Sequence, residues 1–385
     1  MFLVKLLIRN AFRHRLRTLL TILGITVAIL AYGLLQTVVT AWYAGVNGSS
    51  STRLISRNAV SLVFSLPLAY QERIRHLEGV TGLTYENWFG GVYITEKNFF
   101  PNFAVDAKSY FAIYPEFILP PEQKRAFLLD RKGCVAGKKL AERFGWKVGD
   151  TVSLKGTIYP GTWEFVVRGI YGGADKSTDE SQFFFHWDYL NETLKKTIAR
   201  RADQVGVYVI GLKNPQSAPE IALAVDATFR NSLAETLTET EKAFQLSFVS
   251  MTEAIVVAIR IVSFVVIIII MVVVANTMAM TARERIGEYA IFKALGFTGY
   301  HIAGMVFGES LFITLTGGAI GILLTFPVAA KFGEIMGTFF PVFQVERATL
   351  TADIAFCGIV GIIAAVFPTW RAVRIQIADG LRRIG

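Results

Sequence analysis

The sequence predicts a membrane protein with four transmembrane α-helices and a large α+β extracytoplasmic domain between helices one and two. Three observations predict it. Hydrophobic residues make up 53% of the 385-residue chain and charged residues only 18%, below the roughly 25% usual for soluble domains. Residues 18–41, 254–280, 299–330 and 350–370 form stretches apolar enough, over the roughly 20 residues required, to cross a ~30 Å hydrocarbon core. The remaining charge is concentrated between the first two of these, where residues 43–252 hold 24 basic and 22 acidic residues.

Residues 1–17 carry Lys5, Arg9, Arg13 and Arg17 at i+4 spacing, opposite Leu3, Leu7 and Phe12. That pattern suggests an amphipathic helix lying on the membrane surface, with a simple basic anchor as the plainer reading. The apolar run that follows exceeds the 7–15 residues of a signal peptide, so residues 18–41 read as a retained span. Gly24 and Ala28 within it have the small-xxx-small spacing that lets helices approach closely, and dimerisation through this face is one reading of it. The short flanks, residues 1–17, 281–300 and those after the last span, together hold twelve basic and three acidic residues. Their net +9 equals that of the whole chain. By the positive-inside rule these flanks are cytoplasmic, and residues 42–253 lie outside. The basic balance therefore needs no nucleic-acid partner.

The outside segment alternates short strands and helices. Residues 59–64 read as a strand, Pro67 opens a helix that Gly79 ends, and residues 80–85 resume as a strand. Residues 205–212 and 215–230 repeat the strand–helix pattern, giving two βαβ-like halves of one subdomain. Residues 90–204 are the expected insertion, a second, strand-rich subdomain. A helix over 239–251 is expected to run on into the second span. Cys134 and Cys357 fall on different sides of that boundary, so no disulfide is expected, and no metal-site spacing is present. Gly133-Cys-Val-Ala-Gly137-Lys138-Lys139 is one residue short of a phosphate-binding loop and lacks its Ser or Thr. No catalytic constellation is visible.

The cytoplasmic connection, residues 281–298, reads Thr281-Ala-Arg-Glu-Arg-Ile-Gly-Glu-Tyr-Ala-Ile-Phe-Lys-Ala-Leu-Gly296. Glu284, Arg285 and Glu288 give it a charged face and Tyr289 and Phe292 an apolar one, with Gly296 placed to stop a helix. Such a helix, tethered at both ends to spans, suits docking into a partner's groove; a solvated loop is the plain alternative. In the third span, Glu309 is an intramembrane acid and so a functional candidate by default, with a structural tether to Asn276 or Thr277 as the alternative. Gly317 and Gly321 repeat the small-residue spacing.

The connection resembles the coupling helix of the FtsX/MacB-like family of ABC-transporter permeases, whose pattern runs E-R-x-x-E-I-G-x-L-R-A-L-G-A. Glu284, Arg285, Glu288, Ala294, Leu295 and Gly296 match, Lys293 stands for Arg, and Tyr289-Ala290 and Phe297 depart from it. Gly308-Glu309-Ser310 with Gly317-Gly318-Ala319-Ile320-Gly321 is similar to the family's third span. Pro368-Thr-Trp-Arg-Ala372 and Asp379-Gly-Leu-Arg382 resemble its C-terminal ending. Residues 135–144, Val148-Gly-Asp150 and 165–170 resemble its periplasmic core domain.

The resemblance implies a homodimeric, non-catalytic permease working with a separate cytoplasmic ATPase, which would hold ATP and magnesium; no cofactor is expected in this chain. It implies that Glu284, Arg285 and Glu288 pair with that ATPase while Tyr289 and Phe292 fill its groove, with Lys293 and Gly296 in the same coupling segment. It further implies an inner-membrane location and, in an efflux assembly, a periplasmic adaptor and outer-membrane channel. Lipoprotein or lipid extraction, as in LolC-like proteins, and cell-wall hydrolase regulation, as in FtsX, are alternatives within the family. A membrane-bound ligand sensor is the alternative from another class.

Overall fold

The computed structural model describes residues 12–175, 177–337, 340 and 342–376. The chain divides into two units, one of Met1–Trp42, Thr252–Ile335 and Phe343–Gly385, the other of Tyr43–Met251 and Met336–Val342. Most of the expected surface helix, residues 1–11, and the tail 377–385 lie outside the described residues.

The first unit contains four helices long and apolar enough to span a membrane: Arg15–Trp42, Glu253–Glu284, Gly299–Met336 and Arg347–Val373. Helices satisfy every backbone polar group internally, which a hydrocarbon surround demands. The same demand explains why the β-branched run 265–274, strand-prone in water, is helical here. The third span continues to Met336, past the expected 330, and the fourth runs from Arg347 to Val373 with Pro368 inside it. The core of the unit joins Ile22, Ile25 and Ile29 of the first span to Ile267, Ile270 and Val274 of the second, and to Val360 and Ala364 of the fourth. Leu16, Leu19, Leu23 and Val27 of the first span are exposed on its other side.

Small residues set the helix separations. A Cβ on Gly317 would lie 2.8 Å from Ile25 Cβ, and one on Gly321 would lie 2.9 Å from the Thr26 carbonyl oxygen. The third span therefore packs backbone-close on the first, and the Thr26 hydroxyl donates to the Gly317 carbonyl at 3.0 Å. Gly24 faces Ile270 of the same chain, and Ala28 is buried in the same cluster. The dimerisation reading of Gly24 and Ala28 is thus displaced: their face is filled by the chain's own second span.

The second unit is built on one large sheet. Its strands run, side by side, Thr236–Thr240, Arg53–Asn58, Val207–Leu212, Val80–Trp88, Asn102–Val105, Phe183–His186, Gly133–Gly137, Gly161–Gly173, Thr151–Gly156 and Gly91–Val92. The first four, with helices Tyr70–Arg75 and Ala218–Thr228, interleave as a split βαβ pair, each strand antiparallel to its neighbour. The inserted strands do not form a separate sheet. They extend this one through the antiparallel pairing of Val80–Trp88 with Asn102–Val105.

Two expectations shift. Residues 59–64 are a loop, because Asn58 Oδ1 accepts the Val60 amide and turns the chain out of the ladder; the strand is Arg53–Asn58. The helix before the second span, Glu241–Ser250, is capped by the Thr240 hydroxyl and ends before a new helix begins at Glu253. The glycine-rich run near 133 is a central strand, bonded on both sides by Phe183–His186 and Gly161–Gly173. At one end of the sheet, Arg53 is buried with bidentate bonds to Glu116 (2.6 and 3.0 Å) and a 2.8 Å bond to Glu241. Both cysteines are free and buried, and no cluster of metal ligands occurs among the described residues.

Candidate coupling site

Between the second and third spans lies a nine-residue helix, Ile286–Ala294. Its end is a Schellman motif. The Gly296 amide donates to the Lys293 carbonyl and the Phe297 amide to the Phe292 carbonyl, both at 3.0 Å. Gly296 has φ +92°, a conformation a side chain resists, and Phe292 and Phe297 close the motif with ring centroids 5.6 Å apart.

The charged residues at the start of this helix are committed within the chain. The Arg285 guanidinium donates to Glu309 Oε2 at 2.8 Å and to Glu288 Oε2 at 3.0 Å, and it lies over the Tyr289 ring at 5.4 Å from the centroid. Arg285 and Glu309 are each 5% exposed. In so dry a place each charge is tolerable only because the other is there. Glu288 also accepts from Arg13, which precedes the first span. Burial pushes the Glu288 carboxyl up, but its bonds to Arg13 and Arg285 prevail and hold it below the usual carboxylate range. Arg17 grips Glu284 with two bonds, 2.6 and 2.7 Å, and His14 approaches the same carboxylate at 3.5 Å. A cavity of about 10 Å³ beside Glu309, walled by His14, Arg17, Thr277 and Thr281, is about the size of one water.

The far end of the helix is tied to the fourth span. Lys293 Nζ donates to the carbonyls of Val373 (2.6 Å) and Ile375 (2.8 Å), placing a cation at that helix's C-terminus. Tyr289 is 1% exposed in a cluster with Ala282, Ile302, Val306 and Ala372, against which Phe292 packs.

The direct docking role expected for these side chains is therefore not what their positions offer. Tyr289 is enclosed, Phe292 is half-buried, and Arg285, Glu288 and Lys293 bind the chain's own spans or their flanks. Glu309 is tethered to Arg285 and not to Asn276 or Thr277. What faces outward is a different set: Ile291 on the helix, Leu295 and Phe297 just past its end, and Tyr300 at the start of the third span, with Leu295 70% and Tyr300 90% exposed. Helical phase could have separated the two sets, since Ile291 and Leu295 lie four apart on the face opposite Tyr289. The Arg13–Glu288 and Arg17–Glu284 pairs share the same i+4 step, a register match visible in the sequence but unused.

Residues 18–228, more than half of the chain, match the MacB-like periplasmic core domain, and residues 260–377 match the FtsX-like permease C-terminal domain. An uncharacterised ABC transporter permease of Methanocaldococcus jannaschii is 22% identical, covering 97% of this chain and 96% of its own length. The ABC transporter permease YtrF of Bacillus subtilis is 31% identical over 28% of each chain. A macrolide export ATP-binding/permease protein MacB of Shewanella is 22% identical over 44% of this chain, which spans only 26% of that protein. Among solved structures, the extracellular domain of the noncanonical ABC-type transporter YknZ from Gram-positive bacteria aligns with 49% of this chain and 98% of its own, at 12% identity and TM-score 0.35.

Proposed function

Since this chain belongs to the FtsX/MacB-like family of ABC-transporter permeases, we propose that it transmits ATP-driven motion from a separate cytoplasmic ATPase to its extracytoplasmic domain. The helix Ile286–Ala294 is the relay. The observation that carries this reading is its two-sidedness: every charged residue from Glu284 to Lys293 is bonded to a span or its flank, while Ile291, Leu295, Phe297 and Tyr300 are left bare. A bare apolar end fits a partner's groove. The tethers pass displacement to three spans at once: the first through Arg13 and Arg17, the third through Glu309, and the fourth through the Lys293 bonds to its C-terminal carbonyls. Rigid helices carry such a displacement along their length.

In this reading the termini and the relay helix are cytoplasmic, the bilayer is the inner membrane, and two copies act together. ATP and magnesium belong to the ATPase, and this chain performs no hydrolysis. Among family roles we favour export of the MacB type with an adaptor and outer-membrane channel, because the core-domain match covers nearly all of the first span and most of the outer unit. Extraction of lipid or lipoprotein and regulation of cell-wall hydrolases use the same relay and differ in what the outer unit grips. The test is co-purification in mild detergent from the native host. The ATPase should accompany the parent chain and be lost from Leu295→Asp, while Glu284→Gln retains it. Loss with Glu284→Gln but not with Leu295→Asp would refute the outward-face assignment.

A further inference from the structure

A second ionisable group lies in the span bundle, at the end away from the relay helix, and the relay does not use it. Asp353 is in the second turn of the fourth span, fully buried, and neither carboxylate oxygen has a hydrogen-bond partner. The first and third spans close around it: a Cβ on Gly33 would lie 3.3 Å from Asp353 Oδ2 and 3.1 Å from the Thr325 hydroxyl oxygen. That hydroxyl already donates to the Gly321 carbonyl, so its proton is not available to stabilise an anion. The Thr37 hydroxyl is likewise spent on the Gly33 carbonyl. The titratable groups facing Asp353 are Tyr32 of the first span and Cys357 one turn along its own helix. From the third span it meets Thr325, which does not titrate, and the second span meets the fourth with Phe264 against Phe356. No cation answers the carboxylate among these.

An ionised carboxylate with no bond and no counter-ion is strongly disfavoured in a membrane interior, and the neutral acid is not. We propose that Asp353 is a proton-binding site: it holds a proton while spans one, three and four are packed, and gives it up when they part. On parting, the carboxyl O–H bond breaks, its electron pair stays on the carboxylate, and the proton passes to water that enters the gap. The packed arrangement then binds one more proton than the parted one. Rising pH therefore favours parting, by up to about tenfold per unit above the ordinary carboxylate range near ~4. This inference concerns the chain alone and does not depend on the ATPase.

The chain carries its own reporter. Cys357 is 3% exposed, and its Sγ fills the space over Gly318 of the third span, so alkylation requires those spans to part. In a Cys134→Ala background it is the one remaining thiol. The full chain in lipid nanodiscs is treated with N-ethylmaleimide across a pH series, with and without Asp353→Asn. Thiol ionisation speeds both alike, so the ratio of the two rates isolates the carboxyl. The expected ratio rises several-fold per pH unit, up to about tenfold; a flat ratio overturns the proposal. Infrared spectroscopy supplies an arm that needs no Asn variant. A protonated-carboxyl C=O band should be present at neutral pH and shift in Asp353→Glu, and an unchanged spectrum overturns it.

Discussion

Removing Arg285 separates the two kinds of ion pair in the relay. Arg285 and Glu309 meet at 2.8 Å with 5% exposure each, whereas Arg17 and Glu284 meet at 2.6 Å with their side chains a quarter to a third exposed. Distance alone would rank the second pair stronger. Burial reverses the order. Arg285→Met strands the Glu309 carboxylate in a dry site and should cost about 3–5 kcal/mol, and Glu309→Leu should cost less, because Arg285 keeps its 3.0 Å bond to Glu288. The double variant strands neither charge and should recover most of the loss, because apolar replacement of a buried pair is close to neutral. Arg17→Met should cost about 1 kcal/mol or less. Glu288 keeps Arg13 as a partner when Arg285 is gone, so it does not confound the cycle. The assay is reversible unfolding in mixed micelles for the four variants and the parent. Single variants that cost under about 1 kcal/mol, or a double whose cost is the sum of the singles, would refute the buried-pair argument.

Four other outcomes follow from the same geometry. Gly317→Val puts atoms where Ile25 and the Ile22 carbonyl already are; overpacking of about 1–3 kcal/mol should appear as a lowered melting temperature, with Gly304→Ala, which meets nothing within 4 Å, as the harmless control. Gly296→Ala forces a side chain into φ +92° and should cost about 1–2 kcal/mol, read by the same unfolding assay. Glu288, held below the ordinary carboxylate range by Arg13 and Arg285, contributes stability that is present above pH ~4 and lost as pH falls through its lowered value. Glu288→Gln should therefore flatten the acid limb of a melting-temperature profile. Burial acts the other way on Glu86 in the outer sheet, raising it to about 7 against a hydrogen bond from Tyr110. The folded state then binds the extra proton, so stability should fall as pH rises from about 4.5 to about 7, and Glu86→Gln should remove that slope.

The spans were legible because a bilayer leaves a chain little choice: twenty apolar residues have one way to satisfy their backbone. Gly296 was legible for a similar reason, as a glycine at a helix end has few other uses. The strand at 59–64 was misplaced because Val60, Leu62, Val63 and Phe64 look like a buried run, yet all four are exposed in a loop. The Asn58 turn that ejects them depends on pairing with residues nearly 180 positions away, which local periodicity does not carry. Glu288, Tyr289, Phe292 and Lys293 share one helix, whereas Glu284 ends the helix of the second span and Arg285 caps it; the directions of these side chains are not legible in the sequence. Charged side chains were assumed to face a partner, whereas Arg13, Arg17 and Glu309 reach them first. Asp353 is not legible in the sequence, because one acid near a helix start looks ordinary until the first and third spans close over it.

In the proposed arrangement the bare end of the relay helix touches the ATPase and its inner face does not. Site-specific photocrosslinking in the native membrane tests it most directly, with p-benzoylphenylalanine placed once at Leu295 and once at Tyr289. An ATPase adduct is expected from Leu295 and none from Tyr289, which should crosslink only within its own chain. An adduct from Tyr289 with none from Leu295 would contradict it.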